Sequence, residues 1–227
     1  MERKTKIKSI LVILLSLSAI INCETQCDLA REKTYLKIKA HISFLESIEN
    51  VSFYVVKGIV QNNGTKNVIF TNVTATFYDK DGETIAVSST RTALNIIKSG
   101  AESPFEIYLA LHSSPAPWRY DLVAVGLETD REPYDFVEIR NVKSWIDREG
   151  FHRVNGELYN MGPMIARSVK VICIYYDSEG KLLAISDDIA NPVSIIPGGR
   201  SHFDISSYPF RIEAEKYDLF VSVRRFE

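Results

Sequence analysis

From residue 53 onward, apolar and polar positions alternate in short runs broken by glycine and proline. The stretch 53–60 (Phe-Tyr-Val-Val-Lys-Gly-Ile-Val) reads as one strand and 69–78 as the next. In the second of these, Thr71, Val73, Ala75 and Phe77 fall on one face, and further on Val169, Val171, Cys173 and Tyr175 do the same. A period of two with polar residues between is the pattern of a half-buried strand. Asn63-Gly64 and Asp81-Gly82 are expected to be hairpin turns, since both pairs tolerate positive φ. Residues 84–88 and 182–186 read as the strands after an Asp-x-x-Gly turn, 195–198 as a turn, and 217–223 as the last strand. Gly58 and Gly156, inside predicted strands, mark a bulge or a close backbone approach. Helix start and stop signals are scarce.

The pattern occurs twice. Displaced by 98 positions, Val56, Gly58, Asn62 and Gly64 fall on Val154, Gly156, Asn160 and Gly162. Phe77-Tyr78-Asp79 and Gly82 fall on Tyr175-Tyr176-Asp177 and Gly180, and Gly100 and Phe105 on Gly198 and Phe203. Near the end the offset slips to 97, setting Tyr120-Asp121-Leu122 on Tyr217-Asp218-Leu219, as a one-residue loop deletion would. Short strands separated by Gly- and Pro-marked turns predict an all-β chain of two tandem immunoglobulin-like β-sandwich domains, at 34–128 and 134–227. The polar link between them is short, which predicts a semi-rigid rod.

The N-terminus is different material. Arg3, Lys4, Lys6 and Lys8 precede an unbroken apolar run over residues 10–21, the pattern of a secretory signal and short for a bilayer-spanning helix. Residues 1–22 are therefore expected to be a signal peptide or membrane anchor, and 23–33 a linker. Cys23 is a candidate lipidation site because Ala19-Ile-Ile-Asn-Cys23 is similar to a relaxed lipobox. A Cys23–Cys27 pair, or two plain residues beside a peptidase site, are the alternatives. Cys173, inside an apolar strand, is expected to be an inert buried thiol. The formal charge of the chain is −2, and removal of 1–22 takes away four basic residues and one acidic one. A remainder this acidic argues against nucleic acid, which needs clustered Lys and Arg. Contact with a membrane is expected only through the N-terminus.

The run V-x-G-x-V-x-N-x-G at 56–64, the aromatic-Tyr-Asp-x-x-Gly turn and the Ser-Gly or Pro-Gly turn ahead of Phe105 and Phe203 together resemble the FxLYD domain. The naming motif reads Thr76-Phe77-Tyr78-Asp79 and Ile174-Tyr175-Tyr176-Asp177, with an aromatic at the position of the Leu. The resemblance covers both copies. It implies a small β-sandwich of exported or membrane-attached bacterial and archaeal proteins, and it brings no catalytic residues with it.

Candidate chemistry is sparse. Asp79-x-Asp81-Gly82-Glu83 has the look of a calcium loop, but the second copy carries Lys181 where Glu83 stands, so a plain turn is expected. His41, His112, His152 and His202 show no metal-ligand spacing and read as solvated or strand-face residues. Nucleophile-elbow, phosphate-loop and zinc-protease motifs are all missing. The expectation is no catalytic, metal or cofactor residues. Asn50, Asn63 and Asn72 head glycosylation sequons, all in the first copy. Two loops are candidate binding elements: 112–118, with Pro117 and Trp118, and 206–210, with Tyr208 and Phe210. Rigid aromatics beside prolines are favoured anchors, though the same rings can fold back over the sandwich core. Trp145 is expected to pack at the start of the second domain. The function these features point to is a non-enzymatic envelope or cell-surface interaction module, its partner another envelope protein or polymer. The alternatives are a carbohydrate-binding protein and, from another class, a secreted hydrolase with a carboxylate pair assembled in space.

Overall fold

The computed structural model describes residues 35–226, apart from 49, 113, 114 and 209. The expectations for the signal segment, Cys23 and Cys27 lie outside the described residues. Within them the chain is all-β, with no helix. The first half contributes β1 (Leu36–Ile48), β2 (Val51–Asn62), β3 (Asn67–Tyr78), β4 (Thr84–Arg91), β5 (Ile96–Ile97), β6 (Glu102–Ala110) and β7 (Arg119–Thr129). The second contributes β8 (Val137–Ile146), β9 (His152–Asn160), β10 (Ala166–Tyr176), β11 (Leu182–Ile189), β12 (Arg200–Ser206) and β13 (Lys216–Phe226).

All pairings between these strands are antiparallel, and the halves share one layout. In the first, the β1-β2-β6 sheet faces a sheet in which β3 lies between β7 and the β4/β5 edge. In the second, β8-β9-β12 faces β11-β10-β13. First, second and penultimate strands against third, fourth and last is an immunoglobulin-like sandwich. Even the short β5 bond recurs, with Val68 opposite Ile97 in one half and Ala166 opposite Ile195 in the other. Each sandwich has its own core. Val56, Val60, Val73, Ala75, Phe77, Phe105 and Ile107 fill the first; Val154, Leu158, Val171, Cys173, Tyr175, Phe203 and Ile205 fill the second. Cys173 is fully buried, and burial pushes its thiol up to about 12, as an inert thiol requires.

The repeated motif residues hold repeated contacts. Phe105 lies opposite Gly58 and Phe203 opposite Gly156, and each ring covers its glycine so closely that a Cβ there would meet it within 3 Å. Asn62 and Asn160 are fully buried and bond alike. Asn62 Nδ2 donates to the carbonyls of Lys66 and Ile97, and its Oδ1 accepts from Gly64 N–H; Asn160 does the same with Met164, Ile195 and Gly162. The Asp79 and Asp177 carboxylates each accept two N–H groups inside their own turns, so these turns are hydrogen-bonded caps with Gly82 and Gly180 at positive φ.

Two expectations change here. Asp81-Gly82 does close a hairpin, β3 to β4, but Asn63-Gly64 does not. It carries the chain from β2 to β3 in the opposing sheet, and the buried Asn62 amide replaces the missing ladder bonds. Nor do the halves form a rod. Ile59 of β2, with Ala40 and Ile42 of β1, packs on Ile172, Ile174, Leu182 and Ile185 of β10 and β11. The four sheets thus stack as β7-β3-β4, β1-β2-β6, β11-β10-β13 and β8-β9-β12. Strands β2 and β10 are consequently buried on both faces.

The copies differ in sequence where this stacking demands it. Ile59 corresponds to Glu157, and Ile172 and Ile174 to Thr74 and Thr76, so these positions are isoleucine where the sheets stack and polar in the copy where they do not. Each isoleucine moved out of water there is worth about 1.5–3 kcal/mol. Ile174→Ala is expected to cost roughly 2–5 kcal/mol of unfolding free energy, read from the denaturant midpoint. Asn160→Ala, which leaves the Gly162 N–H without its acceptor and takes one of two donors from each of the Met164 and Ile195 carbonyls, is expected to cost about 1–3 kcal/mol by the same measurement.

Candidate functional site

The two aromatic loops sit at the turn end of their sandwiches, and their residues part company. In the loop before β7, Pro117 is buried, and Trp118 N–H donates to the Tyr78 carbonyl at 2.9 Å. The indole of Trp118 is nonetheless 76% exposed. Beside it the Arg119 guanidinium lies 3.8 Å from the centre of the Tyr78 ring. This arrangement anchors the backbone and leaves the ring in water. In the loop before β13, Ser207 is fully buried. Its hydroxyl donates to the Phe210 carbonyl and accepts from His152 N–H. Tyr208 projects, 68% exposed, with its ring edge on Phe151 at 5.4 Å and Arg211 over the other ring. Phe210 turns inward and meets Phe44 of the first half edge-on at 4.5 Å, so its ring joins the halves.

One further residue departs from expectation. Trp145 is 41% exposed on β8 and does not pack into the core. His152, for which the sequence left a solvated or a strand-face position open, lies on β9 and is buried. Its Nε2 lies 2.7 Å from Ser144 Oγ, a pairing that brings two residues eight apart together across the β8–β9 hairpin. This juxtaposition has the composition of a serine–histidine dyad but the wrong polarity. Ala214 N–H donates to Nδ1 at 3.4 Å, so the ring proton sits on Nε2 and donates to the serine instead of accepting from it. Only the hairpin register, which the sequence does not display, brings this pair together.

Three carboxylates among the described residues are each held by one basic side chain. Glu106 pairs with Lys57 at 3.0 Å, Asp187 with Lys170 at 3.0 Å, and Asp204 with Arg153 at 2.8 Å. Hydrogen bonds from Asn141 and Tyr159 hold the Glu157 carboxyl below its usual range, the reverse of what a general acid needs. Among the described residues no three His, Cys, Asp or Glu side chains gather as a metal site. Of the sequon asparagines, Asn50 and Asn63 are exposed on turns, whereas Asn72 is half-buried in the middle of β3.

No family model matches this chain, and neither does any curated protein. Solved structures similar to it include the exo-chitosanase CsxA of Amycolatopsis orientalis. That match has TM-score 0.29 and 14% identity, over 80% of this chain and 25% of the enzyme. Another is red sea bream transglutaminase, at TM-score 0.25 and 10% identity, over 82% of this chain and 31% of that one. The chain therefore spans a quarter to a third of these proteins.

Burial lowers the His152 pKa below its ordinary 6.5. The unfolded chain then binds the proton more readily than the folded one. The stability tied to neutral His152 is complete above the unfolded value and is lost as pH falls through it toward the folded value. Denaturant-derived stability is expected to decline from neutral pH to about pH 5, and His152→Gln to flatten that decline.

Proposed function

We propose that this chain is an exported, non-enzymatic interaction module of the cell envelope or surface, of FxLYD type, that engages an envelope protein or polymer through the loop carrying Trp118. The observation behind this reading is the exposed indole on an anchored backbone. A ring held out in water loses little conformational entropy on binding and buries a large area when covered. The basic, apolar N-terminal segment supports export. The single ion-pairing of Glu106, Asp187 and Asp204 and the reversed polarity of the Ser144–His152 pair support a role without covalent chemistry.

The test is in-cell cross-linking of the tagged full chain, with mass spectrometry of what co-purifies and a glycan array run in parallel. Trp118→Ala is expected to abolish capture of the dominant partner while changing stability by less than about 0.5 kcal/mol, as an exposed side chain should. Unchanged capture by the variant would remove this loop from the proposal. A hydrolytic activity abolished by one substitution would replace the module with an enzyme.

A further inference from the structure

The stacking of the halves leaves one apolar sheet face bare. In the second half the outer face of β11-β10-β13 is covered by β1-β2-β6. The corresponding outer face in the first half, that of β4-β3-β7, has no cover among the described residues. It presents Phe70, Val87, Val123, Val125 and Leu127, each at least 45% exposed. The register sets Thr76 between Val87 and Asp121, Thr74 between Ser89 and Val123, and Asn72 between Arg91 and Val125. Five exposed large apolar side chains among threonines on one flat face exceed the scattered apolar surface that a monomer shows.

We infer that this face binds the same face of a second copy of the chain, forming a twofold dimer. The other three outer faces leave this as the apolar complement within the molecule. Those of β1-β2-β6 and β11-β10-β13 cover each other, and that of β8-β9-β12 carries Arg153, Asn155 and Glu157 along β9. Charge placement agrees. Arg91 and Asp121 stand at opposite corners of the face, with Val87 and Leu127 toward the other two. A twofold axis through Thr74, running from between Val87 and Ser89 to between Val123 and Val125, sets each Arg91 against Asp121 of the second copy and packs Val123 and Val125 on their counterparts. That geometry is the near-perpendicular class of sheet packing. Neither side chain has a commitment that prevents it. Arg91 lies over Phe70 at 5.6 Å without an ion pair among the described residues, and Asp121 makes one solvent-exposed pair with Arg119.

Three strands at roughly 4.8 Å spacing and some eight residues at roughly 3.3 Å give a face of a few hundred Å². This is below the ~800 Å² per partner of a standard interface, so the dimer is weak and concentration-dependent. It also requires Asn72, at the centre of the face, to be free of glycan.

Sedimentation velocity of the purified full chain over a wide concentration range tests this, with intact mass measured on the same sample. The expected result is a monomer–dimer equilibrium. Arg91→Asp and Asp121→Arg should each weaken it about tenfold or more, and the double exchange should restore it. Val123→Asp should abolish the dimer while the circular dichroism spectrum and melting temperature stay those of the parent chain. A chain that remains monomeric throughout, a dimer indifferent to all of these substitutions, or a glycan on Asn72 would overturn the inference.

Discussion

The contact between the outer faces of β1-β2-β6 and β11-β10-β13 is the constraint on which the arrangement of this molecule depends. It turns two sandwiches into one four-layer stack, and it requires β2 and β10 to be apolar on both faces. Antiparallel sheets ordinarily keep one face wet, and β3 and β9, the counterparts in the other copy, do so. Duplication supplied two equal sandwiches; substitution at a few outward positions made one face of each adhesive. A bulge in β1 completes the surface. Leu36 and Ile38 face the first core, and past the register shift at Lys39, Ala40 and Ile42 face the other half. One alternating stretch thereby serves two interfaces.

Polar groups set the register of that stack. The Lys57 ammonium, its side chain only 12% exposed, is held between the Glu106 carboxylate and the Ile185 carbonyl of the other half. A cation taken that far out of water is tolerable only with both partners in place, so the halves have little freedom to slide. Ser222 Oγ donating to the Ala93 carbonyl at 2.7 Å adds a second tie. Buried Asn62 and Asn160 do the equivalent within each sandwich, where the chain crosses between sheets. Such fully satisfied polar groups specify one arrangement among many of similar apolar burial.

This rigidity reaches the loops. The loop before β13 is pinned at both ends, by Ser207 on the His152 backbone and by Phe210 against Phe44, and Tyr208 projects from between the pins. The Trp118 ring stands on a backbone bonded to β3. Both are aromatic tips on hydrogen-bonded backbone.

The strands at 53–60, 69–78, 84–88, 182–186 and 217–223, their two-residue period, the Asp-x-x-Gly turns and the 98-residue repeat were legible in the sequence, because each depends on neighbours a few residues away or on the copy itself. The inward faces of β3 and β10 came directly from alternation. The stacking of the halves was recorded too, in the change from Glu157 to Ile59 and from Thr74 to Ile172, but only a comparison of outward positions between copies exposes it. Other features belong to the tertiary structure alone. The bulge in β1, the crossing at Asn63-Gly64 and the Ser144–His152 contact depend on pairing register, which local composition does not encode. The fates of the candidate loop residues were decided the same way. Pro117, Trp118, Tyr208 and Phe210 share a composition of prolines and rings, and which ring turns inward depends on a surface that exists only once the two halves have met.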